Sequence, residues 1–197
     1  LEAIFQSFDR IAKKNGVFKV ETVGDCYVAV VGVPEYKKDH AVVMASFARA
    51  CLKSVRRILP SLEMTLGPDT GELAMRFGIH SGPVTAGVLR GDRARFQLFG
   101  DTMNTCARVE STGQRDRIHV SEPCASLIMA TGRADWVELR KDEVEAKGKG
   151  TMTTYWLMEN QITRNSQVMD LSGTETEVEE EPEGQESESS DESEESE

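Results

Sequence analysis

Apolar residues recur at three- and four-residue steps at the start of the chain, at Leu1, Ile4, Phe5, Phe8, Ile11 and Ala12. That spacing places them on one stripe of a helix, and Asn15-Gly16 supplies its stop. From Val17 the period changes. The stretch FKVETVGDCYVAVVGV alternates and then becomes continuously apolar, with Gly24-Asp25 as a turn signal, which predicts a two-stranded hairpin with Asp25 at its tip. After Pro34 the helical period returns from about Lys37 to Leu59. There Met44, Ala48, Cys51, Val55 and Ile58 form an apolar face separate from Val43, Phe47, Ala50, Ser54 and Arg57, and Lys53, Arg56 and Arg57 read as the solvated side.

The second half is more broken. Residues 60–72 carry Pro60, Gly67-Pro68-Asp69 and Gly71, so they read as a loop, with Met64 to Leu66 as a short extended piece. Leu73 to His80 alternates as a strand, Ser81-Gly82-Pro83 turns it into a run from Val84 to Leu89, and Gly91-Asp92-Arg93 turns again into a strand at Arg95 to Phe99. A helix follows, capped by Asp101 or Thr102 and ended by Thr112-Gly113. Ile118 to Val120 is a short strand, Ser121-Glu122-Pro123 opens a helix to about Thr131, Trp136 to Leu139 is extended, and Lys147-Gly148-Lys149-Gly150 is a basic glycine loop before a last strand at Thr154 to Met158. Helices alternating with single strands and hairpins predict an α+β fold with a mixed or antiparallel sheet flanked by helices.

Charge divides this chain of 197 residues in two. Of its 34 acidic and 23 basic residues, 14 acidic and one basic (Arg164) lie from Gln161 onward, leaving 20 against 22 before it. A near-neutral domain over 1–160 with an acidic tail over 161–197 follows; the tail has too few apolar residues to offset the entropy of ordering and is expected to be disordered. Cys26, Cys51, Cys106 and Cys124 show no CxxC or disulfide-like spacing, which suggests a reduced, intracellular domain. The longest apolar run, Tyr27 to Val33, is far short of the roughly 20 residues of a membrane span.

Several polar residues sit where chemistry is possible. Asn104 and Arg108 are four apart on one helix, so an amide and a guanidinium project from the same face and can reach one anionic group. Asp25, at a turn between two strongly apolar strands, offers a carboxylate to Mg²⁺, which takes one or two carboxylates and completes its shell with phosphate oxygens and water. Glu21, four residues earlier, is acceptor-only when ionised; if alternation turns it toward a groove, it suits the N–H edge of guanine and penalises adenine. Lys147 and Lys149 have the charge and the flexible setting to hold a polyphosphate. Each of these residues taken singly also has an ordinary reading as a solvated surface group. His40, His80 and His119 read as structural.

It is the joint pattern that is informative. The stretches FKVETVGDCYVAVVGVPE, MRFGIHSGPVTAGVLRG, RFQLFGDTMNTCARVESTG and KGKG followed by TYWL resemble, in order and approximate spacing over residues 1 to about 158, the catalytic domain of the class III nucleotide cyclases, the adenylyl and guanylyl cyclases. The resemblance implies a ferredoxin-like α+β core that works as a head-to-tail pair with active sites at the interface. It casts Asp25 as one of two metal-binding aspartates for two Mg²⁺ (or Mn²⁺) ions per site, and Asn104 and Arg108 as the residues that orient the ribose and stabilise the transition state. Lys147 becomes the triphosphate lysine with Lys149 beside it, and Glu21 and Gln97 fall on the purine-selecting positions. The family's other metal aspartate lies on a first strand ahead of the first helix, where this chain begins. The expectation is therefore a truncated domain, inactive alone.

Guanylyl members typically pair the glutamate with a cysteine, and adenylyl members pair a lysine with an aspartate or threonine. Glu21 favours GTP, whereas the Gln97 amide can donate to guanine or accept from adenine, so GTP is the expected substrate and ATP the alternative. The expected partner is a second copy of the chain, or a related chain in a heterodimer. No nucleic acid is expected, and contact with a membrane only through other parts of a parent protein, which places the domain in the cytoplasm. Rival readings are a catalytically silent cyclase-like regulator, a scaffold that works through its acidic tail, and a diguanylate cyclase or polymerase palm, whose GGDEF-like or DxD signatures are missing.

Overall fold

The computed structural model describes residues 1–90, 94–146 and 148–159. The expected turn at 91–93, Lys147 and the acidic segment from residue 161 lie outside the described residues. Helix α1 (Glu2–Asn15) forms on the predicted stripe and buries Ile4, Phe8 and Ala12. Gly16 ends it in the left-handed conformation, φ 64° and ψ 35°, which costs glycine nothing because it has no Cβ; Val17 N–H then closes on Ala12 O at 2.9 Å.

Strands β1 (Phe18–Val23) and β2 (Cys26–Val30) make the predicted antiparallel hairpin. Its register slips between Lys19, opposite Ala29, and Glu21, opposite Val28. The extra residue, Val20, resets the phase of the strand just before Glu21, so the simple alternation suggested by the sequence does not carry through to that residue.

Helix α2 (His40–Leu66) corrects two expectations. It runs straight through Pro60, where a loop was expected. Proline removes one backbone hydrogen bond, but Ile58, Leu59 and Leu62 pack on the same apolar cluster on either side of it and keep the helix in register. Nor does α2 have a single apolar face. Ala41, Ala45, Ala48 and Leu52 close on the sheet and on α4, while Phe47, Cys51 and Val55 meet α1 and the hairpin. Phe47 and Ser54, expected away from the apolar face, are buried; the Ser54 and Ser7 hydroxyls pair at 2.6 Å between the two helices. A helix packed on both sides must bury most of its circumference.

Residues 73–76 are not strand; the Met75 N–H bonds the Asp116 carboxylate and the Met75 carbonyl takes the Asp116 N–H. Strand β3 (Phe77–Ile79) begins only where β6 offers a ladder. Next come the hairpin β4 (Thr85–Leu89) and β5 (Arg95–Phe99), α3 (Asp101–Ser111), β6 (Ile118–Ser121), α4 (Glu122–Ala130) and β7 (Val137–Leu139). A hairpin the sequence reading missed, β8 (Val144–Ala146) with β9 (Gly150–Met152), brackets the basic glycine loop before β10 (Thr154–Leu157). Four strands form one mixed sheet in the order β3-β6-β10-β7, with β3 parallel to β6 and the other pairs antiparallel.

That sheet has two unlike faces. Ile79, Ile118, Val120 and Leu157 pack with α2 and with Cys124, Ala125 and Ile128 of α4 into an apolar core. The opposite face, under α3, is lined by polar groups: His119 and Ser121 are fully buried and Thr154 nearly so. Among the described residues no helix is long and apolar enough to cross a membrane.

Candidate active site

The residues singled out in the sequence fall on two bodies. One is the β1–β2 hairpin, with half-buried Glu21 on β1 and exposed Asp25 at the turn. The other is α3, with Asn104 and Arg108 exposed on its outer face while Thr105 and Val109 are buried beneath. The hairpin β4–β5 connects them. Phe18 of β1 lies edge-on against Phe96 of β5 at 5.2 Å between ring centroids, and Gln97, half-buried, follows directly on β5 opposite Gly87. The strands that carry Glu21 and Gln97, β1 and β5, are thus in contact.

The Asp25 carboxylate is at the surface, and its partner among the described residues is the Cys26 thiol at 3.8 Å. Burial pushes the Cys26 thiol upward, and the negative charges of Asp25 and Glu110 add to this, so the thiol is not a ready nucleophile. At the end of α3, Arg76 Nε bonds Glu110 Oε1 at 2.9 Å. Among the described residues, no group of three His, Cys, Asp or Glu side chains could enclose a metal ion. Asp25 alone is therefore a partial ligand set. It suits a hard cation that is mostly held by phosphate oxygens and water.

Helix α3 is fastened at both ends. At its start Gly100, not Asp101 or Thr102, occupies the cap position. Asp101 is the first helical residue, and its carboxylate takes the ammonium of Lys149, which holds its pKa below the usual carboxylate range and brings the β8–β9 loop against the helix. Thr102 Oγ1 donates to Pro83 O at 2.6 Å and ties the same turn to the segment after β3. Underneath, Gly78 of β3 lets the helix backbone approach so closely that a Cβ there would sit 2.4 Å from Glu110 N. At the far end His119 Nδ1 is 2.6 Å from Val109 O, and Arg140 Nη1 donates to Thr112 O at 2.7 Å.

Among the described residues neither the Asn104 amide nor the Arg108 guanidinium is tied to another side chain. Both are thus held by a fixed helix and open to a ligand or a facing surface. Lys149, expected to meet a polyphosphate, is paired with Asp101. Lys147 lies outside the described residues. Sequence reasoning missed Asp101 as a partner because an acid in the first turn reads as a cap, and missed Arg140 and His119 because no local pattern links them to α3. The three histidines are structural: His40 Nε2 lies 2.7 Å from Ser81 Oγ and His80 Nδ1 2.8 Å from Ser121 Oγ.

A mixed sheet with α2 and α4 on one face and α3 on the other is a fold shared with solved nucleotide cyclase catalytic domains. The guanylate cyclase domain of RhGC from Catenaria anguillulae, solved in complex with GTP, superposes with a TM-score of 0.66 at 38% identity, over 80% of this chain and 80% of that one. The chain belongs to the adenylate and guanylate cyclase catalytic domain family, whose model matches residues 1–159. It is 38% identical over 170 residues to the guanylate cyclase soluble subunit beta-2 of Rattus norvegicus, covering 86% of this chain and 24% of that protein. It is 42% identical over 162 residues to the atrial natriuretic peptide receptor 2 of Mus musculus, covering 82% of this chain and 15% of the receptor. The chain therefore spans a quarter or less of the length of these relatives.

Proposed function

We propose that residues 1–160 are the catalytic domain of a guanylyl cyclase that converts GTP to cyclic GMP and pyrophosphate in cytoplasmic signalling, with the acidic segment from residue 161 as an appendage. The observation that carries the reading is the Asn104 and Arg108 pair, unengaged on a helix fastened at both ends. In this reaction the 3′ oxygen of the nucleotide attacks its own α-phosphorus in line, the bond to pyrophosphate breaks, and no protein nucleophile is needed. Arg108 binds the charge that builds on the α-phosphoryl oxygens, and Asn104 orients the ribose. Lys147 receives the triphosphate, while Lys149 stays paired with Asp101 and holds the start of α3.

Asp25, exposed at the tip of a rigid hairpin, supplies a carboxylate oxygen to the Mg²⁺ or Mn²⁺ ions of the site. When bound, two such ions lower the pKa of the 3′ hydroxyl and neutralise charge on the leaving pyrophosphate. Asp25 and Arg108 meet across the interface of a head-to-tail homodimer, so each active site takes Glu21 and Asp25 from one subunit and Asn104 and Arg108 from the other.

Preference for GTP rests on Glu21, whose carboxylate accepts from the guanine N–H groups and faces an acceptor, N1, on adenine. It is supported by two of the relatives, which are guanylate cyclases by name. The test is turnover of GTP against ATP by the full-length protein and by its Glu21→Lys variant. The expected result is GTP preference in the wild type and at least a tenfold loss of guanine selectivity in the variant, the scale of one recognition hydrogen bond to a charged group. A wild type that prefers ATP overturns the assignment.

A further inference from the structure

The sheet face beneath α3 holds buried polar groups that the proposed reaction does not use. His119 is fully buried on β6, with its ring 4.9 Å from that of Trp156 on β10. Its Nδ1 is 2.6 Å from the carbonyl oxygen of Val109. Its Nε2 is 3.4 Å from Nη1 of Arg140, and that nitrogen also donates to Thr112 O. A guanidinium nitrogen can only donate, so Nε2 is the acceptor and Nδ1 carries the proton that is given to Val109 O. Burial and the neighbouring guanidinium lower the pKa of His119, in keeping with this neutral tautomer. Arg140 is itself enclosed: its side chain is 9% exposed, its guanidinium stacks on Trp156 at 4.8 Å, and Nε bonds Asp142 Oδ2 at 2.9 Å.

Two buried donors thus converge on the carbonyl end of one helix. The last carbonyls of an α-helix have no partner within it, and they carry the negative end of its dipole. Here a neutral imidazole and a cation take Val109 O and Thr112 O. Val109 directly follows Arg108, so the carbonyl held by His119 belongs to the residue after the one that carries the guanidinium. With the backbone resting on Gly78 from below, these two bonds set how far α3 is rotated and how far it slides along the sheet.

We propose that His119 and Arg140 are positioning residues for Arg108: through the carbonyls of Val109 and Thr112 they fix the last turn of α3 at the angle at which Arg108 meets the reacting phosphate. The inference rests on the catalytic reading of Arg108. Asp101 with Lys149 fastens the other end of the helix, so loss of the His119 or Arg140 bond loosens one end only and turns the helix about its start.

The test is a double-mutant cycle in the full-length protein. His119→Leu and Arg140→Gln each lower kcat about tenfold or more with KM for GTP within about twofold, since a displacement near 1 Å has effects of up to about a hundredfold. In an Arg108→Ala background, or Arg108→Lys where alanine turns over too slowly to measure, the same substitutions change kcat less than about twofold. His119→Asn, whose Nδ2 donates from nearly the same place as Nδ1, restores kcat to within about threefold of wild type and separates the lost bond from a failure to fold. Amide exchange gives a readout besides activity: the segment 109–113 exchanges about tenfold faster in His119→Leu, while 101–105 is unchanged.

Equal kcat losses with and without Arg108 overturn the proposal, because they mean a general loss of fold, and so does an unchanged kcat in both His119→Leu and Arg140→Gln. If Arg108→Ala itself leaves kcat intact, the catalytic reading of Arg108 fails instead. The exchange data then still decide whether His119 and Arg140 hold the turn.

Discussion

Adding one methyl group at Gly78 tests whether α3 rests where the structure places it. A Cβ on Gly78 would lie 2.4 Å from Glu110 N, 2.6 Å from its Cα and 2.7 Å from its Cβ, where ordinary contact begins near 3.4 Å. The obstacle is helix backbone, which has no rotamer to change, so α3 must retreat by about 1 Å. Overpacking of this kind costs about 1–3 kcal/mol. Alanine returns about 0.4–1 kcal/mol by restricting the unfolded chain. A retreating helix also strains the bond from Cys106 Sγ to Gly78 O (3.6 Å) and the short bond from His119 to Val109 O. The expected net loss is therefore about 2 kcal/mol, read by urea denaturation at constant m.

Gly87→Ala is the control, since a Cβ there meets nothing within 4 Å and neither glycine has a positive φ. It should be within about 0.5 kcal/mol of the wild type. In the full-length protein Gly78→Ala should also lower kcat by up to about a hundredfold, because Arg108 rides on the displaced helix two residues before Glu110. A Gly78→Ala protein as stable as Gly87→Ala would refute the close approach, and with it the placement of α3 on the sheet.

Two further outcomes are expected. Full-length Asp25→Ala and Arg108→Ala chains, each inactive alone, should regain activity when mixed, because one of the two sites in the heterodimer keeps both residues; heterodimers that form and stay dead would sink the shared-site reading. Buried His119 has its pKa lowered below the ordinary 6.5. The unfolded chain then takes up a proton that the folded one refuses: nothing is lost above about pH 6.5, and stability falls below it by up to about 1.4 kcal/mol per pH unit. Urea titrations between pH 5 and 7.5 should show a shallower decline in His119→Asn, and equal slopes would rule out this contribution.

Much of the molecule is local and was legible as such. The stripe from Leu1 to Ala12, the stop at Gly16, the hairpin around Gly24-Asp25 and the helix of Asn104 and Arg108 all follow from periods and turn residues within a few positions of one another. The cyclase family was legible because its motifs are short, continuous and in fixed order. Where the reading failed, distant parts of the chain decided the outcome. Pro60 should end a helix, yet α2 continues because Leu62 packs on a cluster that α2 shares with α1 and the β1–β2 hairpin. The expected strand from Leu73 shrinks to Phe77–Ile79 because Asp116, forty-one residues beyond Met75, takes the backbone of Met75 first.

The sequence by itself determined which chemistry-bearing side chains exist, which helix or turn each sits on, and the family to which they belong. Only the tertiary structure decided what holds them. That Lys149 pairs with Asp101, forty-eight residues away, and that Arg140 reaches back twenty-eight residues to Thr112 O are outcomes of packing the β8–β9 hairpin and the end of β7 against α3. The physical reason is range: propensity and periodicity act over a turn or a strand, whereas a buried donor finds its carbonyl only after the sheet and the helix have closed over it.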